Sequence, residues 1–298
     1  MDLTTTYLGL ELANPLVHSA SPLTRKINNI QAMEEAGIGA IVMHSLFEEQ
    51  IEREGRLLDA VLEEGINAFA EARDYIPSYG APQIGPEVYL EHLAAAVKAV
   101  KIPIIASLNG ASIGGWVEYA KKIEDSGANA LELNLYNVPL DPELTCSEVE
   151  ERYIEIVTSV VHATALPIAV KISPFLTAPA NFCQQLVHAG AKGVALFNRF
   201  YQPDINLDEF EVIPDLKLSS SEDLKLPLRW AALISRRLQA DIAITSGIHT
   251  SQDVIKGILC GASVTMMTSE LLRRGFSRVS AILEDLGTWM EENDYSAL

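Results

Sequence analysis

The sequence predicts an α/β protein, a TIM (β/α)₈ barrel with an N-terminal hairpin and long loops after strands two and six. Three observations carry this expectation. Short apolar runs rich in Val, Ile, Leu and Ala recur along the whole chain, each is followed by an amphipathic stretch with helical spacing, and there are eight such units. Runs that are apolar on both faces belong to a parallel sheet covered by helices, and eight is the count that closes into a barrel. An open doubly wound sheet is the alternative, because a strand count alone does not show closure.

Taken in order, the segment before Leu16 alternates as TYLGLEL and reads as a hairpin plugging the barrel floor. The strands begin near Leu16, Gly39, Ile102, Ala130, Pro167, Gly193, Asp241 and Ser263. Helices are expected over about 26–36, 86–100, 114–126, 146–163, 179–189, 227–239, 251–260 and 270–292. Thr145 and Glu148 form a capping-box pattern, and Ser251 with Asp253 puts polar and acidic groups where a first turn has unpaired N–H donors. Gly37, Gly127 and Gly190 stop helices before the next strand. Two connections exceed simple turns. Ser45 to Gly85 is charged and reads as helical, while Arg199 to Leu226 is polar and contains a Ser-Ser-Ser run; both follow strands and so form walls or lids over a site.

The bulk numbers set limits on function. With 298 residues and 48% hydrophobic composition there is apolar material for a large core, read as a single domain over 1–298, although one large or two small domains fit the length. A net charge of -18 and a pI near 4.7 repel a phosphate backbone, which excludes nucleic acid as a partner. The three cysteines, Cys146, Cys183 and Cys260, are far apart and in no metal-ligand spacing, so no metal site is expected, and an odd count suits a reducing cytoplasm. The N-terminus lacks a basic region followed by an apolar one, and no run approaches the roughly 18 to 20 apolar residues of a membrane span. A soluble, cytoplasmic protein is expected.

In a barrel, polar residues at the C-terminal ends of strands face the active-site mouth. In order these are Ser19 and Ser21, His44 and Ser45, Ser107 and Asn109, Asn134 and Asn137, Lys171 and Ser173, Asn198, Thr245 and Ser246, and Thr268 and Ser269. For any one of them a cap or turn residue is the plainer account, but all eight strands end this way. Gly247 after strand seven, with Thr268 and Ser269 after strand eight, places backbone N–H groups where many barrels bind a phosphate; an ordinary tight turn is the plainer account of Gly247. Lys171 is the only cation in this ring of strand ends. It either snorkels to solvent or stabilises negative charge in a ligand.

At these motifs the chain resembles the dihydroorotate dehydrogenase family in its shorter soluble form. The likeness runs nearly end to end through LGLELANPLVHSAS, SLNG, LELNLYNVP, AVKIS, LFN and SGIHTSQDVIKGILCGASVTMMTSELL. The resemblance implies FMN as cofactor. Ser19, Ala20 and Ser21 would lie against the flavin, with Ser45 beside them, Lys171 would contact its ring or ribityl chain, and Asn134 would reach flavin and substrate together. Ser246, Gly247, Ile248, Thr268 and Ser269 would hold the phosphate, and Asn109, Asn137 and Asn198 the substrate.

Around the substrate this chain departs from the family. Where soluble members read Asn-Leu-Ser-Cys-Pro-Asn with the Cys as general base, it reads Asn134-Leu135-Tyr136-Asn137, shorter and without the Cys. The family's Lys at the end of strand two is His44, its Gly-Leu-Pro-Asn segment is not recognisable between Glu63 and Pro77, and its Gly-rich turn before helix seven is Ser219-Ser220-Ser221. Three residues are candidates for the base: Tyr136, whose phenol is a poor base or a stacking group; His44, with a suitable intrinsic pKa or a hydrogen-bonding role; and Cys146, at a helix start or facing away from the site. The expectation is a homodimeric FMN oxidoreductase acting on CH–CH groups, passing electrons from a small planar or carboxylate-bearing substrate to a soluble acceptor or redox partner protein, with dihydroorotate itself oxidised slowly or not at all. The competing functions are a non-redox barrel lyase or isomerase gripping a phosphorylated substrate, and a flavin-binding electron-transfer subunit without turnover of its own.

Overall fold

The computed structural model describes residues 1–47, 86–109, 113–135, 139–199, 203–213 and 217–298. Eight parallel strands close into a barrel: β3 (Leu16–His18), β4 (Ala40–Val42), β6 (Ile104–Asn109), β7 (Ala130–Asn134), β8 (Ile168–Ile172), β9 (Gly193–Leu196), β12 (Asp241–Thr245) and β13 (Val264–Met267). Pairing of β4 with β6 and of β13 with β3 closes the ring, which removes the open doubly wound sheet as an alternative. A short β5 (Leu46–Phe47) extends the pairing along β6, Leu46 opposite Leu108. The strands fall where the apolar runs do, because a strand covered on both faces gains from apolar residues at every position.

The helices expected from the periodicity are present over α1 (Ile27–Glu35), α2 (Pro86–Ala99), α3 (Ile113–Asp125), α4 (Cys146–Ala163), α5 (Pro179–His188), α6 (Lys225–Ile234) and α7 (Ser251–Leu259). The last expected helix is two, α8 (Ser269–Arg274) and α9 (Ser277–Glu292), broken at Gly275 with φ +79°. Ser251 and Asp253 lie in the first turn of α7 as expected, and Thr250 before them is the N-cap of a capping box, its side chain accepting the Asp253 N–H. A 3₁₀ turn, Ser221–Leu224, leads into α6.

At the floor, β1 (Thr5–Tyr7) and β2 (Leu10–Leu12) form the expected hairpin. Leu8 and Gly9 both have positive φ, as a two-residue hairpin turn that matches strand twist requires. Asp241 fastens it: one carboxylate oxygen accepts the Leu8 N–H at 2.7 Å and the other the Ser263 hydroxyl at 2.9 Å. Tyr7, Leu8 and Leu12 are buried against a layer of small inward side chains, Ala40, Ala130, Ala169, Ala195 and Ala243. The outward-facing residues of the strands pack on the helices in a second, larger cluster that includes Trp116 and Phe182, each contributing about 3 kcal/mol by burial.

The connection after β9 differs from a plain polar loop. It carries an antiparallel hairpin, β10 (Asp204–Asn206) and β11 (Glu211–Ile213), whose Ile205, Leu207, Phe210 and Val212 are exposed. The connection after β4, from 48 to 85, lies outside the described residues, and so do the expected helix and the Glu63–Pro77 segment within it.

Candidate active site

A cavity of about 530 Å³ opens at the C-terminal mouth of the barrel. All eleven residues expected to contact the cofactor line it: Ser19, Ala20, Ser21, Ser45, Asn134, Lys171, Ser246, Gly247, Ile248, Thr268 and Ser269. Asn109 and Asn198 line it too, while Asn137 lies outside the described residues. The reason they converge is the strand period of two. On β7 the residues sharing a face are Ala130, Glu132 and Asn134, so the barrel interior rises from the alanine layer through Glu132 to the mouth.

Lys171 sits at the centre of this column. Its Nζ lies 3.1 Å from Oε1 of Glu132 and 3.2 Å from Oγ of Ser19, across the barrel on the β3 side. Both members of the ion pair are buried, and Glu132 Oε2 has no hydrogen-bond partner. Below them the Tyr7 hydroxyl is also unpartnered; burial first, then the charges of Glu132 and Asp241, push its pKa well above the ordinary value. Lys171 is not the only cation at the mouth: Arg199 and Lys217 also line the cavity.

On the β4–β7 side the wall is made of neutral groups. Asn134 Nδ2 donates to Ser107 Oγ at 2.8 Å and Ser45 Oγ at 3.2 Å, and the two hydroxyls are 2.8 Å apart. Asn198 spends its amide protons on the carbonyls of Lys171 and Leu135, which leaves its amide oxygen as an acceptor. Ser21 is oriented from behind by buried His18. The ring's Nδ1 donates to the Val42 carbonyl at 3.1 Å, so Nε2 accepts the Ser21 hydroxyl at 2.9 Å. Burial, with the Lys171 charge adding to it, lowers the His18 pKa to about 4.

On the β12–β13 side Ser246 and Gly247 both have positive φ, +78° and +81°. A non-glycine residue held in that region at a cavity wall is strained backbone of the kind found at ligand sites. Gly247 has a second constraint: a Cβ there would meet the Leu224 backbone nitrogen at 2.3 Å. The 3₁₀ turn before α6 thus requires the glycine independently of any ligand. Lys217, Leu218 and Ser219, from the long connection after β9, complete this wall. Arg273 holds them in place through the carbonyls of Leu218 and Ser219 at 3.0 and 2.7 Å.

Of the three candidate bases, the two among the described residues stand apart from the cavity wall. Tyr136 lies outside the described residues. His44 is absent from the cavity wall; its Nδ1 is 3.1 Å from Thr24 Oγ1, its ring packs edge-on against Tyr89, and burial, His92 and Arg25 push its pKa down to about 4. Cys146 is exposed at the start of α4, beside the Thr145 cap, and is also absent from the wall. Sequence reasoning passed over His18, Glu132, His249 and Glu270. The available signal for Glu132 was an acid in an otherwise apolar strand, two residues before Asn134 on the same face.

The model of the family described as dihydroorotate dehydrogenase matches residues 2–290, and the chain belongs to that family. Among curated relatives it is 22% identical over 304 residues to the catalytic subunit of dihydroorotate dehydrogenase B (NAD(+)) from Endomicrobium trichonymphae, covering 100% of this chain and 95% of that protein. It is 26% identical over 269 residues to dihydroorotate dehydrogenase A (fumarate) from Lactobacillus delbrueckii subsp. bulgaricus, covering 88% and 85%. Against the Lactococcus lactis subsp. lactis dihydroorotate dehydrogenase A (fumarate) it is 25% identical over 324 residues, covering 99% and 96%. No helix among the described residues is long and apolar enough to cross a membrane.

Proposed function

We propose that the chain binds FMN in the cavity at the barrel mouth and uses it to oxidise a small, planar or carboxylate-bearing substrate other than dihydroorotate, releasing the electrons to a soluble acceptor. The observation that carries this reading is the convergence on one cavity of the eleven positions expected to hold the cofactor. The donor set suits the group. Phe197, Ile248, Met266, Met267 and Leu272 offer apolar surface for a planar ring, the hydroxyls and amides suit a polyol chain, and the Ser246–Gly247 turn with Thr268 and Ser269 suits a phosphate. A volume of about 530 Å³ is also within the range for a cofactor of this size.

When bound, FMN supplies the two-electron acceptor. The chain's own residues do the rest. The Lys171 ammonium, held by Glu132 and Ser19, presents a fixed positive charge at the cavity wall, where it would stabilise negative charge gained by the reduced ligand. Asn134 is held by two hydroxyls, and the Asn198 oxygen faces substrate as an acceptor for N–H groups. Where soluble family members carry the cysteine base, this sequence reads Asn134-Leu135-Tyr136-Asn137 without it, which is the ground for excluding dihydroorotate. A homodimer in the cytoplasm belongs to the same reading, with the exposed apolar side chains of the β10–β11 hairpin available for burial between copies.

The purified chain is expected to be yellow with about one FMN per chain. Dihydroorotate under anaerobic conditions is expected to bleach it at least about 10²-fold more slowly than it bleaches a family member with its cysteine base, the usual loss when a general base is removed. A colourless protein that takes up no added FMN rejects the cofactor assignment in favour of a non-redox barrel. Rapid bleaching rejects only the exclusion of dihydroorotate.

A further inference from the structure

Behind the Gly247 loop, the cavity wall is backed by a chain of polar groups that the reading above does not use. Ser219 lines the cavity, and its hydroxyl lies 3.1 Å from Nε2 of His249. Nδ1 of the same ring lies 3.0 Å from Oε2 of Glu270, whose other oxygen receives Arg278 Nε at 2.8 Å and lies 3.5 Å from Arg274. Ser219, His249 and Glu270 are all buried.

The proton positions follow from the far end. Burial opposes ionisation of Glu270, but hydrogen bonds from His249 and Arg278 and the charges of Arg274 and Arg278 outweigh it and hold the carboxyl below its ordinary range. An ionised carboxylate only accepts, so His249 carries its proton on Nδ1. With the ring neutral, Nε2 is a lone pair and Ser219 donates its only proton to it, while the Ser219 oxygen faces the Gly247 N–H at 3.4 Å. In this state Ser219 offers lone pairs alone to an anion in the cavity. Protonation of His249 reverses the chain: Nε2–H then donates to Ser219, and the hydroxyl proton turns to the cavity with a positive charge behind it.

We infer that His249 is a positioning residue that couples binding of a phosphate monoester dianion, at the Ser219–Gly247–Ser269 end of the cavity, to uptake of one proton from solvent. The inference rests on the FMN reading, in which the monoester is the FMN phosphate. The charged groups facing the ring nearly balance. Glu270 and Arg274 come from α8, Arg278 from α9, and Asp253 of α7 accepts the His249 N–H at 3.1 Å. Arg273 is engaged on the two carbonyls of the wall. An arriving dianion therefore tips a balanced site towards the imidazolium, as an opposite charge within about 4–6 Å does. Ser269 can assist without a proton change, because its oxygen accepts the Ser219 N–H at 3.1 Å and its own proton remains to donate.

The test is titration calorimetry of the full-length chain, stripped of flavin, with FMN and with riboflavin at pH 8 in phosphate-free buffers of different ionisation enthalpy. At that pH the FMN phosphate, with a second pKa near 6, is already a dianion and takes up no proton itself. Net proton uptake is expected on binding FMN and none on binding riboflavin. His249→Gln is expected to abolish the uptake and weaken FMN about 10- to 100-fold, the range for a lost hydrogen bond to a charged group, while changing riboflavin affinity less than about two-fold. The retained riboflavin binding reports that the variant is folded. FMN binding without proton uptake, or a variant that loses FMN and riboflavin equally, overturns this inference and leaves the cofactor assignment standing. A wild-type chain that binds neither flavin overturns both.

Discussion

The two sides of the barrel mouth are built from different chemistry. On the β12–β13 side the polar groups behind the wall are charged and interlocked: Glu270 with His249, Arg274 and Arg278, and Asp253 accepting from four donors. On the β4–β7 side, above the Glu132–Lys171 pair, they are neutral: Ser45, Ser107 and Asn134 bond one another, and His44 is kept uncharged at neutral pH. The difference teaches where the fold is prepared for a permanently charged ligand group and where it is prepared for a neutral one, since buried charge is costly unless it meets charge. Lys171 joins the sides, reaching Glu132 on β7 and Ser19 on β3.

The largest expected effect falls on that junction. Lys171→Met leaves the buried Glu132 carboxylate without its partner, and removing one member of a buried pair typically costs about 3–5 kcal/mol. The double variant Lys171→Met with Glu132→Gln is expected to recover at least half of the loss in urea unfolding, while FMN affinity stays reduced in both. If the single variant unfolds like the wild type, Lys171 does not tie the two sides and the ion pair is incidental.

A smaller effect, of known sign, comes from His18 under the wall between the sides. Its folded pKa of about 4 lies below the ordinary 6.5, so the unfolded chain binds the extra proton over that interval. Stability from this group is therefore fully present above about pH 6.5 and is lost as pH falls towards 4, by about 3 kcal/mol at most. His18→Gln keeps a hydrogen-bonding side chain but cannot titrate. Urea midpoints from pH 7 to pH 4.5 are expected to fall less steeply in the variant, and parallel slopes would remove His18 as a source of acid sensitivity.

Most of the architecture is legible in the sequence because parallel strands covered on both faces are apolar at every position, which marks all eight. The floor hairpin is legible too, from the alternation in TYLGLEL. The β10–β11 hairpin is not, since its Ile205, Phe210 and Val212 lie exposed and leave no core-facing pattern. The residues expected to hold a cofactor converge on one cavity as the strand ends imply, whereas the charged backing does not announce itself. His249, in the loop before α7, and Glu270, in the first turn of α8, are 21 residues apart, and each reads alone as an ordinary surface group. Gly247 shows a further limit: its sequence context points to a ligand, but the close approach of Leu224 already demands it.

The smallest expected effect compares one motif on the two sides. Thr250–Asp253 at α7 and Thr145–Glu148 at α4 are both capping boxes. In the first, the Asp253 carboxylate is buried and also receives the His249 N–H and the Ser221 hydroxyl, so it ties the Gly247 loop and the 3₁₀ turn to the helix. In the second, Glu148 is fully exposed and serves only Thr145, and water can replace what it offers. Thr250→Ala removes a part-buried hydroxyl that both accepts the Asp253 N–H and donates to its carboxylate, so a loss of about 1–2 kcal/mol is expected. Thr145→Ala is expected to cost visibly less in the same urea experiment, and to leave FMN affinity untouched. Thr250→Ala should weaken FMN as well, because the loop that carries His249 loses its anchor. Equal losses of stability in the two variants, with FMN affinity unchanged in both, would show that the charged backing of the β12–β13 side does not extend to its helix cap.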